Sequence, residues 1–161
     1  MNPEIVVVDY KNPNHANDLV RLLDGYAADP MGGGQALPVE VKANLADSLA
    51  SIPHAFSLLC YVGDKAAGLT NCFWGFSTFK NKPLINIHDV YVDPAFRGMR
   101  LSVLLLEKVK QLASTKGCCK LTLEVLEGNR PARKAYEKFG FAGYELDPKL
   151  GQALFLEMPL S

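Results

Sequence analysis

Between Ile87 and Ser102 the chain reads Ile87-His88-Asp89-Val90-Tyr91-Val92-Asp93-Pro94-Ala95-Phe96-Arg97-Gly98-Met99-Arg100-Leu101-Ser102. His88 titrates near neutrality, so its ring can take up or release a proton at physiological pH. Asp89 follows it directly. Two readings are open for this pair: a base with its polar neighbour, or a strand-end His and Asp bonded to structural partners. Arg97, Gly98 and Arg100 come after a Pro-containing turn and before a strongly apolar stretch. Such a loop can present backbone N–H groups and positive charge to a phosphate. Glu124 is an outward-facing carboxylate on a later strand, and Asn129 is placed to cap the helix that follows. That helix carries Tyr136 in its apolar stripe, with Arg130, Arg133, Lys134 and Lys138 along its exposed side. Met31-Gly32-Gly33-Gly34-Gln35 is not a phosphate-binding P-loop, because no Gly-Lys-Ser/Thr follows it.

The elements that must position these residues are legible as periodicities. Glu4 to Tyr10 is β-branched and apolar, a first strand. Asn14 is placed to cap a helix from His15 to about Ala28, with Ala16, Leu19, Val20, Leu22 and Leu23 as its buried stripe. Asp29 to Pro38 breaks it, and a second helix runs from Pro38 to about Ser51. Ala55 to Val62 and Ala66 to Phe79 read as strands joined by Gly63-Asp64-Lys65, and Leu84 to Val92 as the next. Leu101, Leu104, Leu105, Val109, Leu112 and Ala113 share a helix face that stops at Lys116-Gly117. Cys119 to Leu126 is a strand, and Ala132, Ala135, Tyr136 and Phe139 mark the helix closed by Gly140. Phe141 to Glu145 and Ala153 to Met158 read as two final strands. The order is β-α-α-β-β-β-α-β-α-β-β. The unit from Leu84 to Leu126 is then a right-handed crossover with a parallel pair, inside an otherwise antiparallel, mixed sheet. This is one α/β domain over residues 1–161.

The bulk numbers exclude other classes. The 161 residues suffice for one domain with a core, and 17 Lys+Arg balance 17 Asp+Glu, which does not favour nucleic acid or a membrane surface. No basic and apolar leader opens the chain, and no apolar run approaches the roughly 20 residues of a membrane span. Cys60, Cys72, Cys118 and Cys119 show no C-x-x-C spacing, so reduced thiols in predicted strands of a cytoplasmic protein are expected, with no metal.

Two motifs carry a family resemblance: Val90-x-Val92-x-Pro94-x-x-Arg97-Gly98, and Asn129-x-x-Ala132-x-x-x-Tyr136-x-x-x-Gly140-Phe141. In this order, with 32 residues from Arg97 to Asn129, they resemble the GNAT superfamily of acyl-CoA-dependent N-acetyltransferases. Phe76-Ser77-Thr78-Phe79-Lys80 followed by Ile87 to Val92 is most similar to the diamine (spermidine/spermine-type) branch. The resemblance implies a GNAT-like α/β fold: a mixed, mostly antiparallel central sheet with a splayed parallel strand pair and helices on both faces. It implies acetyl-CoA as cosubstrate, its pantetheine arm between the splayed strands against Val90, Tyr91 and Val92. Its pyrophosphate would lie on Arg97, Gly98, Met99, Arg100, Leu101 and Ser102, with Asn129 and Arg133 as further cofactor contacts. Tyr136 matches the family's general acid, which protonates the departing thiolate. The chain departs from the family at Arg100, where glycine is usual, more mildly at Ser102, where Gly or Ala is usual, and at His88, where the diamine branch has Glu.

The resemblance further implies transfer of acetyl to a primary amine of a small molecule by direct attack. An alkylammonium with a pKa of about 10.4 is neutral in only about one molecule in 10³ at pH 7, so a base or water chain is needed. His88 is the base candidate and Glu124 the reserve; Asp89, matching the branch's amine anchor, and Glu124 are the substrate-binding candidates. The loop from Met31 to Gln35 lies where the family shapes its acceptor site, as a lid or as an ordinary flexible loop. A homodimer through exposed C-terminal strands is usual for the family. The alternative is a non-catalytic acyl-CoA-binding or sensing module, motivated by Arg100 and His88.

Overall fold

A computed structural model describes residues 1–160. It contains β1 (Pro3–Val7), α1 (Pro13–Ala28), α2 (Val39–Ala50), β2 (Ala55–Val62), β3 (Lys65–Ser77), β4 (Lys82–Val92), α3 (Leu101–Thr115), β5 (Leu121–Leu123) and α4 (Arg130–Phe139). The chain separates into two compact units, Met1–Leu126 and Glu127–Ser161. The first holds a five-stranded sheet in the order β1-β2-β3-β4-β5, antiparallel except for the parallel pair β4·β5.

Alternation along β2 explains how both faces are covered. Leu59 joins Leu19 and Leu22 of α1, Leu49 of α2, and Leu69 and Tyr91 in one apolar cluster. Leu58 and Cys60, its neighbours, therefore face the opposite side. There a Cβ on Gly68 would stand 3.2 Å from Leu105 of α3 and 3.5 Å from Cys60, so β3 approaches α3 closely where glycine leaves room. Leu101, Leu105, Leu106, Val109 and Ala113 bury the α3 stripe. Burying one such leucine contributes about 1.5–3 kcal/mol.

Some boundaries differ from the sequence reading. Asn12, not Asn14, caps α1: its Oδ1 accepts from the N–H groups of Asn14 and His15, and Pro13 takes the first helical position, where its missing N–H costs nothing. Strand β5 spans three residues where Cys119–Leu126 was expected. Cys118 and Cys119 thus precede it, half-buried, while Cys60 and Cys72 are buried in β2 and β3; all four are free thiols. Phe141–Glu145 and Ala153–Met158 are not strands. Between them the Ala153 N–H donates to the Tyr144 carbonyl at 2.9 Å.

Candidate active site

The centre of the first unit is a register shift. Asn71 pairs with Asp89 and Cys72 with Ile87, so His88 is one extra residue in β4. Asn71 and Cys72 are consecutive and face opposite sides, so Asp89 and Ile87 do too. The bulge brings His88 and Asp89 together: His88 Nδ1 lies 3.2 Å from Asp89 Oδ1. The His88 ring also stands edge-on to Phe73, which packs against the α1/α2 cluster. The bond to Asp89 raises the His88 pKa above its ordinary value, aided by the charges of Asp89 and Glu124 and opposed by burial. Glu124 is thus within electrostatic reach of the imidazole.

Asp89 is held at three points. Its Oδ2 accepts from Asn71 Nδ2 at 3.0 Å, its backbone carbonyl accepts from Thr70 Oγ1 at 2.8 Å, and its Oδ1 faces His88. Tyr26 of α1 also lies near it, its phenol pKa raised by burial and then by the charges of Asp89 and Asp29. Burial pushes the neighbouring Cys72 thiol up to about 12, so it is no nucleophile at neutral pH.

Parallel pairing ends where the bulge begins. Ile85, Asn86 and Ile87 pair with Leu121, Thr122 and Leu123, and no further β5 residue follows. Through Val90, Tyr91 and Val92 the strand keeps β3 on one side and, among the described residues, no strand on the other. An opened parallel edge of this kind leaves room for an extended amide-bearing chain to hydrogen-bond along β4. The Val92 carbonyl accepts from Arg97 Nε at 3.2 Å.

Arg97 also stacks over Tyr91 and reaches Asp29 at 3.4 Å. Asp29 in turn accepts through Oδ1 from the Met31 N–H and through its carbonyl from Gly32 and Gly34 N–H. The loop from Met31 to Gln35, read as a lid or as an ordinary flexible loop, is tied to Asp29 by these bonds, and the Gln35 N–H donates to the Ala27 carbonyl at 3.0 Å. A Cβ on Gly32 would meet the Tyr26 carbonyl oxygen, which explains glycine there.

Arg100 and Gly98 both adopt left-handed backbone, at φ 60° and 88°. Glycine is relaxed in that region and arginine is not. Arg100 is the N-cap residue of α3, yet its side chain makes no capping bond. The first-turn N–H groups around Leu101, Ser102 and Val103 are thus open to an anion, as a phosphate site requires. Leu101 has its side chain in the core, so only its backbone can face a ligand; Met99 is exposed. These features fit the diphosphate and pantetheine of coenzyme A.

In the second unit α4 starts on Asn129, whose Oδ1 accepts from Ala132 N–H at 3.3 Å. Arg133 bonds the Glu127 carbonyl at 3.0 Å, and Tyr136 stands edge-on to Phe141. Both Asn129 and Arg133 therefore have local partners. Sequence reasoning missed Asn71, Ser57 and Tyr10, which stand behind Asp89; the signal available was a run of polar residues at strand positions that face the core.

Comparisons with known proteins bear on the family and the fold. The acetyltransferase (GNAT) family model matches residues 20–141. A thialysine N-epsilon-acetyltransferase of Caenorhabditis elegans is 29% identical over 136 residues, 84% of this chain and 81% of that protein. The Bos taurus protein of the same name is 35% identical over 68 residues, 42% of this chain and 39% of that one. Among solved structures, AAC(6')-Iy in complex with the bisubstrate analogue CoA-S-monomethyl-acetylneamine superposes with a TM-score of 0.77 at 15% identity, over 99% of this chain and 100% of that one, a likeness of fold. The family match extends over well more than half of the chain, and the protein belongs to the GNAT acetyltransferases, enzymes that take acetyl from acetyl-CoA to an amine.

Proposed function

We propose that this protein transfers acetyl from acetyl-CoA to a primary amine of a small molecule by direct attack, with His88 as base and Tyr136 as general acid. The observation that carries the reading is the His88–Asp89 pair on a bulge where the parallel pairing of β4 ends. The amine is held by Asp89, with Glu124 adding negative charge, and loses its proton to His88 Nε2. The freed lone pair attacks the thioester carbon. A backbone N–H of the opened β4 edge stabilises the oxygen as charge develops there. Val90, Tyr91 and Val92 line the pantetheine arm. Arg97, Gly98, Met99, Arg100, Leu101 and Ser102 receive the diphosphate, with Asn129 and Arg133 as further contacts. Tyr136 gives its proton to the departing thiolate; pKa values of about 8.5 and 10 allow this without an extreme shift.

The domain comprises residues 1–161 and works as a homodimer in the cytoplasm, a location that its four free thiols suit. The nematode relative is named for acetylating the Nε amine of thialysine, which supports a small amine as acceptor. Initial rates of wild type, His88→Gln and Tyr136→Phe across an amine panel test the assignment. A fall in kcat of about 10²-fold or more for both, with acetyl-CoA still binding by calorimetry, is expected. Unchanged kcat in Tyr136→Phe removes it as the acid. Tight acetyl-CoA binding with no thiol release on any amine turns the reading into a sensor.

A further inference from the structure

Behind Asp89 runs a chain of hydrogen bonds that the reaction outlined above does not use. Tyr10 OH lies 2.8 Å from Ser57 Oγ, Ser57 Oγ donates to Asn71 Oδ1 at 2.6 Å, and Asn71 Nδ2 donates to Asp89 Oδ2 at 3.0 Å. Ser57 is fully buried and Asn71 is 4% exposed.

The direction of the chain follows from donor counting. Ser57 has one hydroxyl proton and gives it to Asn71, so Tyr10 must donate to Ser57. An amide whose oxygen accepts from Ser57 presents its NH₂ to Asp89. The Asp89 carboxylate has only acceptors, so with Oδ2 taken by Asn71 it turns Oδ1 to the imidazole. His88 Nδ1 must then carry a proton, and Nε2 is left as the acceptor. The His88 side chain is 63% exposed, and Nε2 has no partner among the described residues. Each link thus fixes the next, from a tyrosine on the far side of β2 to the tautomer of a histidine on β4. Apolar side chains could fill the Ser57 and Asn71 positions without the cost of burying polar groups, so a role beyond packing is indicated.

We infer that Asn71, oriented by Ser57 and Tyr10, is a positioning residue that locks His88 in its Nδ1–H tautomer through Asp89, leaving Nε2 unprotonated and aimed outward. This rests on the reading of His88 as the base, yet its test can be separated from that reading. The groups facing the imidazole are Asp89 on its own strand, the uncharged Phe73 edge from β3, and Glu124 beyond β5; Tyr26 of α1 faces Asp89.

The chain holds three histidines, so ¹⁵N NMR of the neutral rings can be assigned, and one supplies a control. His15 Nδ1 accepts from Asp9 N–H at 3.0 Å, so its neutral form carries the proton on Nε2. The expected spectrum therefore has opposite tautomers at His15 and His88. In Asn71→Ala the Nδ1–H share at His88 falls at least threefold, His15 is unmoved, and kcat/KM at pH 7 drops about tenfold. Ser57→Ala gives a smaller shift of the same sign and serves if Asn71→Ala does not fold. A wild-type His88 that is mainly Nε2–H overturns the inference, as does a tautomer ratio unaltered in folded variants at both positions. A tautomer shift with acetyl transfer unchanged leaves Asn71 as the positioning residue and removes His88 as the base.

Discussion

Arg100 concentrates the departure from the family pattern in one side chain. Its left-handed backbone costs about 1–2 kcal/mol that glycine would not incur, while glycine adds about 0.5–1 kcal/mol of unfolded-chain entropy. Arg100→Gly is therefore expected to leave Tm unchanged or to raise stability by up to about 1.5 kcal/mol. The guanidinium makes no ion pair among the described residues and is available for a phosphate. The same variant then weakens acetyl-CoA binding by about 1.5–3 kcal/mol, the range for a hydrogen bond to a charged group. Calorimetry beside thermal melts reads both; unaltered affinity shows that Arg100 does not touch the cofactor. With His88 as the proposed base, the pH dependence of the reaction is expected to follow its ring. Its pKa is raised, mainly by Asp89, and the active form of a base is the deprotonated one, so kcat/KM climbs with pH through a midpoint above 6.5. Asp89→Asn removes the charge, and that midpoint moves down. The stability attached to His88 has the opposite sense: present below the unfolded value near 6.5, it is lost as pH rises through the folded one. A pH profile of Asp89→Asn that coincides with wild type excludes His88 as the titrating base.

The elements separate into those that the core sustains and one that depends on its ends. Helix α3 buries a full stripe and α1 buries Leu19 and Leu22 with half-buried neighbours, whereas α4 buries no residue. For a ten-residue helix without a buried face, the Asn129 cap is a large share of what holds it. Asn129→Ala is expected to cost about 1 kcal/mol, seen as roughly fivefold faster amide exchange across 130–139 with the β2 and β3 amides unchanged. Equal exchange in both proteins would mean that the cap contributes nothing. The same contrast explains what could be read from the sequence. The stripes of α1 and α3 recur at helical spacing because a packed face imposes it, so these elements were legible. Strand β4 was legible as a strand but not as a bulged one. The inserted His88 leaves a single trace, the change from Ile85 and Ile87 to Asp89 at positions that unbroken alternation would keep on one face. Chemistry follows from that break, since without it His88 and Asp89 would point to opposite sides. The polar chain behind Asp89 was invisible because Tyr10, Ser57 and Asn71 are 47 and 14 residues apart and meet only through strand pairing. The expected final strands failed for another reason: alternation favours a strand, but a strand requires a partner edge.

On the scale of the whole chain, the sheet and the last residues pose one question. The family model ends at residue 141, and beyond it Leu146, Leu150, Leu154, Phe155, Leu156, Met158 and Leu160 are all at least 74% exposed. Apolar runs of this density are seldom left in water by a stable monomer. The backbone of 151–160 forms no strand ladder. Backbone with open donors and acceptors, carrying apolar side chains, is suited to adding to a strand edge, which is how a homodimer through the C-terminal segment would form. Sedimentation of the full chain is expected to give twice the monomer mass. Phe155→Lys with Leu156→Glu should shift the mass toward the monomer and make Tm independent of concentration, because subunit association stabilises by mass action. If both proteins sediment as monomers, the segment has no role in self-association. If both remain dimers, the interface lies elsewhere on the molecule.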